Sequence, residues 1–245
     1  HLTENLYLTV GSIRDHILKV YQVKYSLSGL RHLLACMDFV YKKPKAVPGK
    51  ADQLAQEKFL QEIEQKLQET SDKVAVYYAD GVHPQHNTHC SYGWIKKGEI
   101  KQIKTNTGRQ RLNINGAVNA KDPTDIIIEE AVAINAQSTI SLLKKIEQRN
   151  TNLECIYVVT DNARYYRCTL VNEYLKNSKI QILFLPPYSP NLNLIERLWR
   201  LLKKIVLYNQ YYEKFSELRQ AILNFFKKIK RYRPQLESLM TLKFH

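Results

Sequence analysis

The stretch LFLPPYSPNLNLIERLWRLLKK, residues 183–204, joins an apolar strand to an amphipathic helix through a proline-rich turn. Glu196 lies in the first turns of that helix, and Arg200 follows four residues later. A surface ion pair between these two side chains, worth about 0.3–0.5 kcal/mol, is the simplest interpretation of the glutamate. The acidic residues elsewhere in the chain decide between that interpretation and a functional one.

Two other apolar strands are followed directly by an aspartate. VAVYYA (74–79) precedes Asp80, and CIYVVT (155–160) precedes Asp161. Functional sites of open α/β sheets gather at the carboxyl ends of strands. A single aspartate there can simply cap the next turn or helix, and Asp161 is such a candidate. Three carboxylates that converge without basic partners repel one another, however, and a divalent cation such as Mg²⁺ relieves that repulsion.

The spacing of the acidic residues fits this convergence. Between Asp161 and Glu196 lie 34 residues, enough for a helix, a strand, a turn and one helical turn that return the chain to the same end of the sheet. Several antiparallel strands followed by alternating strands and helices predict a mixed α/β sheet flanked by helices. The predicted strands are 74–79, 92–95, 100–104 (with Gly98 at the turn), 111–119, 125–130, 155–160 and 180–185, and the predicted helices are 135–149, 163–176 and 192–207.

The N-terminal part predicts a small DNA-binding segment. A helix over 11–20 and a second helix capped by Ser26 suggest a helix-turn-helix or winged helix, with Arg31 and His32 exposed on the second helix. Many helix pairs bind no DNA, so this signal is weak by itself. The next stretch, YKKPKAVPGK, predicts a basic wing or linker along phosphates. The predicted domains are a helix-turn-helix segment over 1–45, a linker and exposed bridging helix over 46–72, and a catalytic domain over 73–245.

The composition points to a polyanionic partner. A formal net charge of +14 favours nucleic acid. No apolar run is long enough to span a membrane, and the four cysteines lack CxxC spacing, which predicts buried thiols in a reducing cytoplasm. The segment HPQHNTHC (83–90) lacks a second ligand pair for zinc, and Trp94 and Trp199 are expected in the core.

Asp80, the pair Asp161-Asn162 and the motif LPPYSPNLNLIE together resemble the DDE transposases of the IS630/Tc1/mariner superfamily, specifically the bacterial IS630 branch. The 34-residue separation is characteristic of that family, and the resemblance runs from about Gly11 to the C-terminus. The chain departs from the family at three places: Leu194 replaces a common proline, Gly81 replaces a common glutamate, and Tyr165-Tyr166 stand where a histidine is usual. Complete members carry a further helix-turn-helix upstream, which this chain is expected to lack.

The resemblance implies an RNase H-like catalytic domain in which Asp80, Asp161 and Glu196 hold two Mg²⁺ ions, with Mn²⁺ as a substitute. It implies cleavage at transposon ends and transfer of the 3′-hydroxyl into target DNA, usually at TA, by a homodimer assembled on the inverted repeats. A cytoplasmic, nucleoid-associated bacterial protein is expected. The residues expected to shape the site are Asn162, His83, Tyr188 and Asn193.

The DNA-binding surface is predicted mainly from the C-terminal charge pattern. Residues 197–233 contain eleven Lys and Arg against two Glu, which favours contact with the DNA backbone over a merely solvated face. The predicted DNA-contacting residues are Arg31, His32, Lys42, Lys43, Lys45, Arg109, Arg200, Lys203 and Lys204.

Two alternatives to an active transposase remain open from the sequence. One is a catalytically idle, DNA-binding remnant or repressor of the same element. The other is a structure-selective RNase H-like nuclease, which shares the acidic residues but leaves the helix-turn-helix unexplained.

Overall fold

The structure is a computed structural model and describes residues 1–44, 49, 52–68 and 73–241. The chain folds into two compact units, residues 1–47 and 48–245. The predicted site lies in the second unit.

The first unit contains two helices joined by a short connection. Helix α1 spans Val10–Tyr21 and helix α2 spans Leu27–Cys36. As predicted, the Ser26 hydroxyl caps α2 by accepting a hydrogen bond from the Gly29 N–H at 3.0 Å. Thr9 caps α1 in the same way, and Leu30 is the buried residue of α2. The first unit thus contains the helix pair that the sequence predicts.

The second unit is built on a mixed sheet, as the sequence predicts, and this sheet has five strands among the described residues. The strands stand in the order β3-β2-β1-β4-β5, with β1, β2 and β3 antiparallel and β1, β4 and β5 parallel. The parallel half therefore brings the carboxyl ends of β1 and β4 to the same edge of the sheet. The strands are β1 Val74–Val82, β2 Asn113–Asn119, β3 Ile126–Ala131, β4 Cys155–Thr160 and β5 Ile180–Phe184.

Helices cover both faces of this sheet because β1 presents apolar side chains alternately to each face. Val76 and Tyr78 pack with the C-terminal helices, whereas Ala75, Tyr77 and Ala79 pack with the helix that follows β3. The helices of this unit are α3 Gln53–Gln68, α4 Ala136–Arg149, α5 Thr169–Leu175, α6 Ile195–Leu202, α7 Phe215–Lys227 and α8 Arg233–Leu239. Helix α3, predicted to be an exposed bridge, buries Phe59 and Ile63 in the same core as α6 and α7.

The predicted strands near 92–95 and 100–104 are wrong. Both segments are irregular, because β1 and β2 pair directly with each other and their outer edges are occupied by β4 and β3. The loop between β1 and β2, residues 83–112, is instead held by side-chain hydrogen bonds. Thr88 Oγ1–H donates to the Lys104 carbonyl and Asn106 Nδ2–H donates to the Tyr212 carbonyl, each at 2.7 Å. Trp94, expected in the core, lies fully exposed in this loop.

Smaller corrections concern helix boundaries and cysteines. The predicted helix over 163–176 is a 3₁₀ turn followed by α5, and the predicted helix over 192–207 is a 3₁₀ turn, α6 and a π-turn in succession. Cys36 and Cys90 are exposed free thiols, contrary to the expectation of buried ones, because they lie on a helix surface and in the irregular loop. Within the described ranges, no helix is both long and apolar enough to cross a bilayer.

Helix α4 begins with a reciprocal cap, and removal of this cap tests how much it contributes to the free energy of unfolding. Asn135 Oδ1 accepts from the Ser138 N–H at 3.0 Å, and the Ser138 hydroxyl accepts from the Asn135 N–H at 2.9 Å. We expect Asn135→Ala to lower the free energy of unfolding by about 1 kcal/mol in urea denaturation. Gln137→Ala, an exposed change in the same turn, should stay within about 0.5 kcal/mol; equal losses in both variants would contradict the capping role.

Candidate active site

The structure brings the three predicted carboxylates to one cleft. Asp80 near the end of β1, Asp161 directly after β4 and Glu196 in the first turn of α6 line a cleft of about 410 Å³. Asn162, Tyr188 and Asn193, three of the residues expected to shape the site, line the same cleft. The positions follow from topology, since β1 and β4 are parallel neighbours and the chain returns through β5 and the proline turn.

The proline turn sets the start of α6 and hence the place of Glu196. A short 3₁₀ turn covers Pro190–Leu192, and the Glu196 N–H donates to the Asn193 carbonyl at 3.2 Å. Leu194, where the family commonly has proline, is fully buried and already has helical backbone angles. The leucine therefore keeps the helix start intact. Of the described residues, none forms an ion pair with Glu196, so the simple Glu196–Arg200 surface pair is absent.

Asp80 is the most strongly perturbed of the three carboxyl groups. Burial, followed by the nearby charge of Glu196 and then that of Asp161, raises its pKa to about 7. Hydrogen bonds from the Gly81 backbone and from the Trp199 indole oppose this rise only in part. The carboxylates thus give the cleft a negative potential, which disfavours the ionised form of Asp80.

Asp161 and the residue after it are held by local hydrogen bonds. Asp161 Oδ1 accepts from the Ala163 N–H at 3.0 Å, so the turn-capping interpretation of this aspartate describes one of its contacts. Asn162 Nδ2–H donates to the Leu185 carbonyl at 2.6 Å, and its Oδ1 accepts from the Arg167 guanidinium. Arg167 in turn stacks on the Phe184 ring, with 3.9 Å between its Cζ and the ring centroid. No pattern in the sequence indicates this role for Arg167.

Asn193 and Tyr188 complete the wall formed by the proline motif. Asn193 is almost fully buried and its Nδ2–H donates to the Ala79 carbonyl at 3.4 Å, which ties the turn to β1. Tyr188 is exposed and has a backbone φ of 57°, an uncommon conformation for a tyrosine. Strained backbone of this kind concentrates at functional sites.

The remaining predicted residues lie away from the cleft or on the surface. His83 lies in a separate depression with His89 and Lys203, and its Nδ1 is 2.7 Å from Asn113 Oδ1. The predicted DNA-contacting residues within the described ranges are all exposed, namely Arg31, His32, Lys42, Lys43, Arg109, Arg200, Lys203 and Lys204. Lys45 lies outside the described residues.

Trp199, predicted to be a core residue, is one, but it also reaches the site. Its indole Nε1–H donates to Asp80 Oδ2 at 3.2 Å. The only hint in the sequence is that Trp199 follows Glu196 by three residues, which places both on neighbouring positions of one helix face.

The raised pKa of Asp80 predicts an unusual pH dependence of stability. The unfolded chain releases this proton near the ordinary value of 3.8, whereas the folded chain keeps it until about pH 7. Without divalent cations, stability is therefore lost as pH rises through this window. We expect Asp80→Asn to remove the loss and to raise the free energy of unfolding at about pH 8 by up to roughly 4 kcal/mol, compared with its effect near pH 4.

Chemical denaturation across this pH range measures the effect. Asp122 is the matched control: burial acts to raise its pKa, but hydrogen bonds from Thr124 and pairing with Arg233 outweigh burial, so the pKa is lowered. Asp122→Asn should therefore lose stability toward neutral pH, opposite in sign to Asp80→Asn. Parallel curves for both variants would contradict the electrostatic description of the cleft.

Comparison with known proteins identifies the family to which the chain belongs. The family model described as DDE superfamily endonuclease matches residues 75–219, and a winged helix-turn-helix model matches residues 4–63. An uncharacterized 39 kDa protein of insertion element IS630 from Shigella sonnei is 26% identical over 167 residues, which are 66% of this chain and 48% of that protein. The Tc3 transposase of Caenorhabditis elegans is 29% identical over 145 residues, which are 57% of this chain and 44% of the transposase.

The chain thus spans about half the length of the curated relatives it matches. Among solved structures, the Mos1 mariner paired end complex with Mn has a TM-score of 0.69 at 14% identity, over 98% of this chain and 73% of that one. The isolated catalytic domain of Mos1 mariner transposase has a TM-score of 0.51 at 13% identity, over 80% of this chain and 93% of that domain. These likenesses confirm the predicted fold class. The curated relatives, from IS630 and Tc3, are consistent with the IS630/Tc1/mariner resemblance of the motifs. Because the endonuclease model covers more than half of its residues, the chain belongs to the DDE superfamily of endonucleases.

Proposed function

We propose that the protein is a DNA transposase that cleaves DNA at transposon ends and transfers the resulting 3′-hydroxyl into target DNA. The proposal rests on one observation: Asp80, Asp161 and Glu196 line the same cleft, and among the described residues no basic side chain pairs with them. Ion pairs would otherwise neutralise such a cluster. Membership in the DDE superfamily adds the chemistry of an endonuclease.

The three side chains fit a divalent-cation site by the chemistry of their donors. Carboxylate oxygens are preferred ligands of Mg²⁺ and Mn²⁺, and like-charged carboxylates near a buried one favour cation binding. Within the part of the chain that the structure describes, no three His, Cys, Asp or Glu side chains are placed closely enough to hold a metal ion together, so cation binding would have to draw the three carboxylates closer to one another. Mg²⁺ usually retains water and takes phosphate oxygens as ligands, so substrate DNA would complete such a site.

When bound, a pair of such ions supplies Lewis-acid activation and charge neutralisation for phosphoryl transfer. Asp80, Asp161 and Glu196 would hold them. The use of a divalent cation is supported by a structure of similar fold that is described as a complex with Mn. Asn162, fixed between the Leu185 carbonyl and Arg167, holds the backbone beside Asp161 in place. Arg167 presents a guanidinium at this corner, which suits contact with a DNA phosphate.

The basic surface beside the cleft would bind the DNA backbone. Arg200, Lys203 and Lys204 follow Glu196 along the same helical segment and are exposed. Two other basic residues of the C-terminal region are already engaged, since Arg219 pairs with Glu130 and Arg233 pairs with Asp122. We infer that two copies of the protein act together, because transposition pairs two DNA ends, and that target joining at TA follows the family pattern.

Removal of one carboxylate tests the catalytic proposal. We expect Glu196→Gln or Asp161→Asn to reduce Mg²⁺-dependent cleavage of DNA carrying the element's inverted repeats by about 10²–10³-fold or more, since one preorganised charge-stabilising group is lost. Cleavage and strand-transfer products would be resolved on denaturing gels. Glu173→Gln, an exposed glutamate on α5, is the matched control and should retain activity. Full activity of Glu196→Gln would exclude this mechanism.

The same assay separates the two alternative functions. A protein that binds the repeats but leaves them intact with Mg²⁺ or Mn²⁺ would be the idle remnant or repressor. A protein that cuts RNA–DNA hybrids in preference to terminal-repeat DNA would be the RNase H-like nuclease.

DNA binding should show the salt dependence of phosphate contacts. The logarithm of the association constant should fall linearly with the logarithm of salt concentration, with a slope of about −0.9 for each contact. In fluorescence-anisotropy titrations, Lys203→Ala with Lys204→Ala should make the slope shallower by about 2. Lys144→Ala, on the helix that covers the opposite sheet face, should leave the slope unchanged. A similar change of slope in Lys144→Ala would mean that the slope reports only the total charge of the protein.

A further inference from the structure

The indole of Trp199 joins the hydrophobic core to the first catalytic carboxylate. The side chain is 2% exposed and packs in the core formed by α6, α7 and the sheet. Its Nε1–H donates to Asp80 Oδ2 at 3.2 Å. The carboxylate therefore has one oxygen engaged by a neutral donor that is rigidly embedded in the core.

Gly116 provides the space that this contact requires. It lies opposite Asp80 in the β1–β2 ladder. A Cβ at this position would lie 2.5 Å from Cη2 and 3.0 Å from Cζ2 of Trp199, closer than van der Waals contact allows. Glycine in the interior of a strand weakens it, and close approach of another group is the usual reason for its presence. Here the approaching group is the indole that reaches Asp80.

The indole also makes an aromatic contact in the core. Phe226 of α7 meets Trp199 edge to face, with 6.4 Å between the ring centroids and 85° between the ring planes. This contact stabilises the ring in the core, whereas the space at Gly116 admits the ring at the place where its N–H meets Asp80. Because Trp199 and Glu196 are three residues apart on α6, one helix turn directs both toward the Asp80 side of the cleft.

We propose that Trp199 is a positioning residue that orients the Asp80 carboxylate for cation binding, and that Gly116 is required because it admits the indole. This inference rests on the proposed function, in which Asp80 is a metal ligand. It assigns to the tryptophan a role in the site beyond filling the core.

A neutral donor suits this task better than a cationic one. A lysine or arginine at the same place would also fix the carboxylate, but its charge would neutralise the cluster and weaken the attraction for a divalent cation. An indole N–H restricts the rotamer of Asp80 without adding charge. Partners that orient metal ligands through hydrogen bonds typically contribute about 10–100-fold to metal affinity.

Mn²⁺ binding to the full chain tests the proposal directly, without DNA or turnover. Free Mn²⁺ is measured by its electron paramagnetic resonance signal during titration. We expect Trp199→Phe, which keeps an aromatic ring but removes the N–H, to weaken Mn²⁺ binding about tenfold or more. Gly116→Ala, which displaces the indole, should weaken it to a similar extent.

The matched control alters the packing of the indole without touching the hydrogen bond. Phe226→Leu removes the edge-to-face contact and should destabilise the protein while Mn²⁺ affinity stays within about twofold of the wild-type value. If Trp199→Phe fails to fold, biosynthetic replacement of tryptophan by benzothienylalanine, which has sulfur in place of the N–H, preserves the ring shape. This replacement is made in a Trp94→Phe background so that only position 199 changes.

A fluorescence measurement locates the effect at the site. The chain has two tryptophans, so Trp94→Phe leaves Trp199 as the sole tryptophan emitter. Bound Mn²⁺ is a paramagnetic quencher, and saturable quenching of Trp199 should follow the same curve as the resonance titration and vanish in the Asp80→Asn background.

The outcomes separate this inference from the proposed function. Tight Mn²⁺ binding by the wild type together with unchanged affinity in folded Trp199→Phe or in the benzothienylalanine protein would overturn the positioning role alone. Failure of the wild type to bind Mn²⁺, with no cleavage of repeat DNA, would overturn the proposed function. Selective weakening by the loss of the N–H, with Phe226→Leu unaffected, would support both.

Discussion

The central constraint on this structure is the repulsion among three carboxylates at one edge of a sheet. Burial and the charges of Glu196 and Asp161 push the pKa of Asp80 to about 7, so folding alone does not favour the ionised site. The geometry has to be maintained by packing elsewhere. The strand that carries Asp80 is the middle strand of the sheet, and apolar helices cover both of its faces. A well-packed scaffold therefore keeps together groups that would otherwise separate.

Helix α6 shows how the core and the site share residues. Its Ile195, Leu198 and Leu202 are fully buried, and Glu196 turns toward the cleft between them. The proline turn before it fixes where the helix begins, and the buried Asn193 ties that turn to β1. Because the helix is anchored through its apolar face, the direction of Glu196 is determined by packing rather than by an ion pair.

The sequence predicted the parts of the fold that depend on local patterns. Apolar runs ending in Asp80 and Asp161 marked adjacent strands, and the 34-residue interval returned Glu196 to the same edge. The contact between Trp199 and Asp80 could not be predicted, because it depends on the register that sets Gly116 opposite Asp80. The exposure of Trp94 could not be predicted for a related reason: β1 and β2 pair directly with each other, and the sequence alone does not show that the segment between them stays outside the sheet.

If the proposed function holds, the charge distribution of the chain sets two opposing requirements for its DNA substrate. The net charge of +14 attracts phosphates over long range, and exposed Arg200, Lys203 and Lys204 place part of this charge on the helical segment that carries Glu196. The cleft itself is lined by carboxylates and would repel the DNA phosphate that enters it in the proposed function. In the proposed function, divalent cations reconcile the two, since they neutralise the carboxylates and bind phosphate oxygens at once. A neutral hydrogen-bond donor at Asp80 preserves the charge that draws those cations in, whereas a basic side chain in its place would satisfy the carboxylate and leave little reason for a cation to bind.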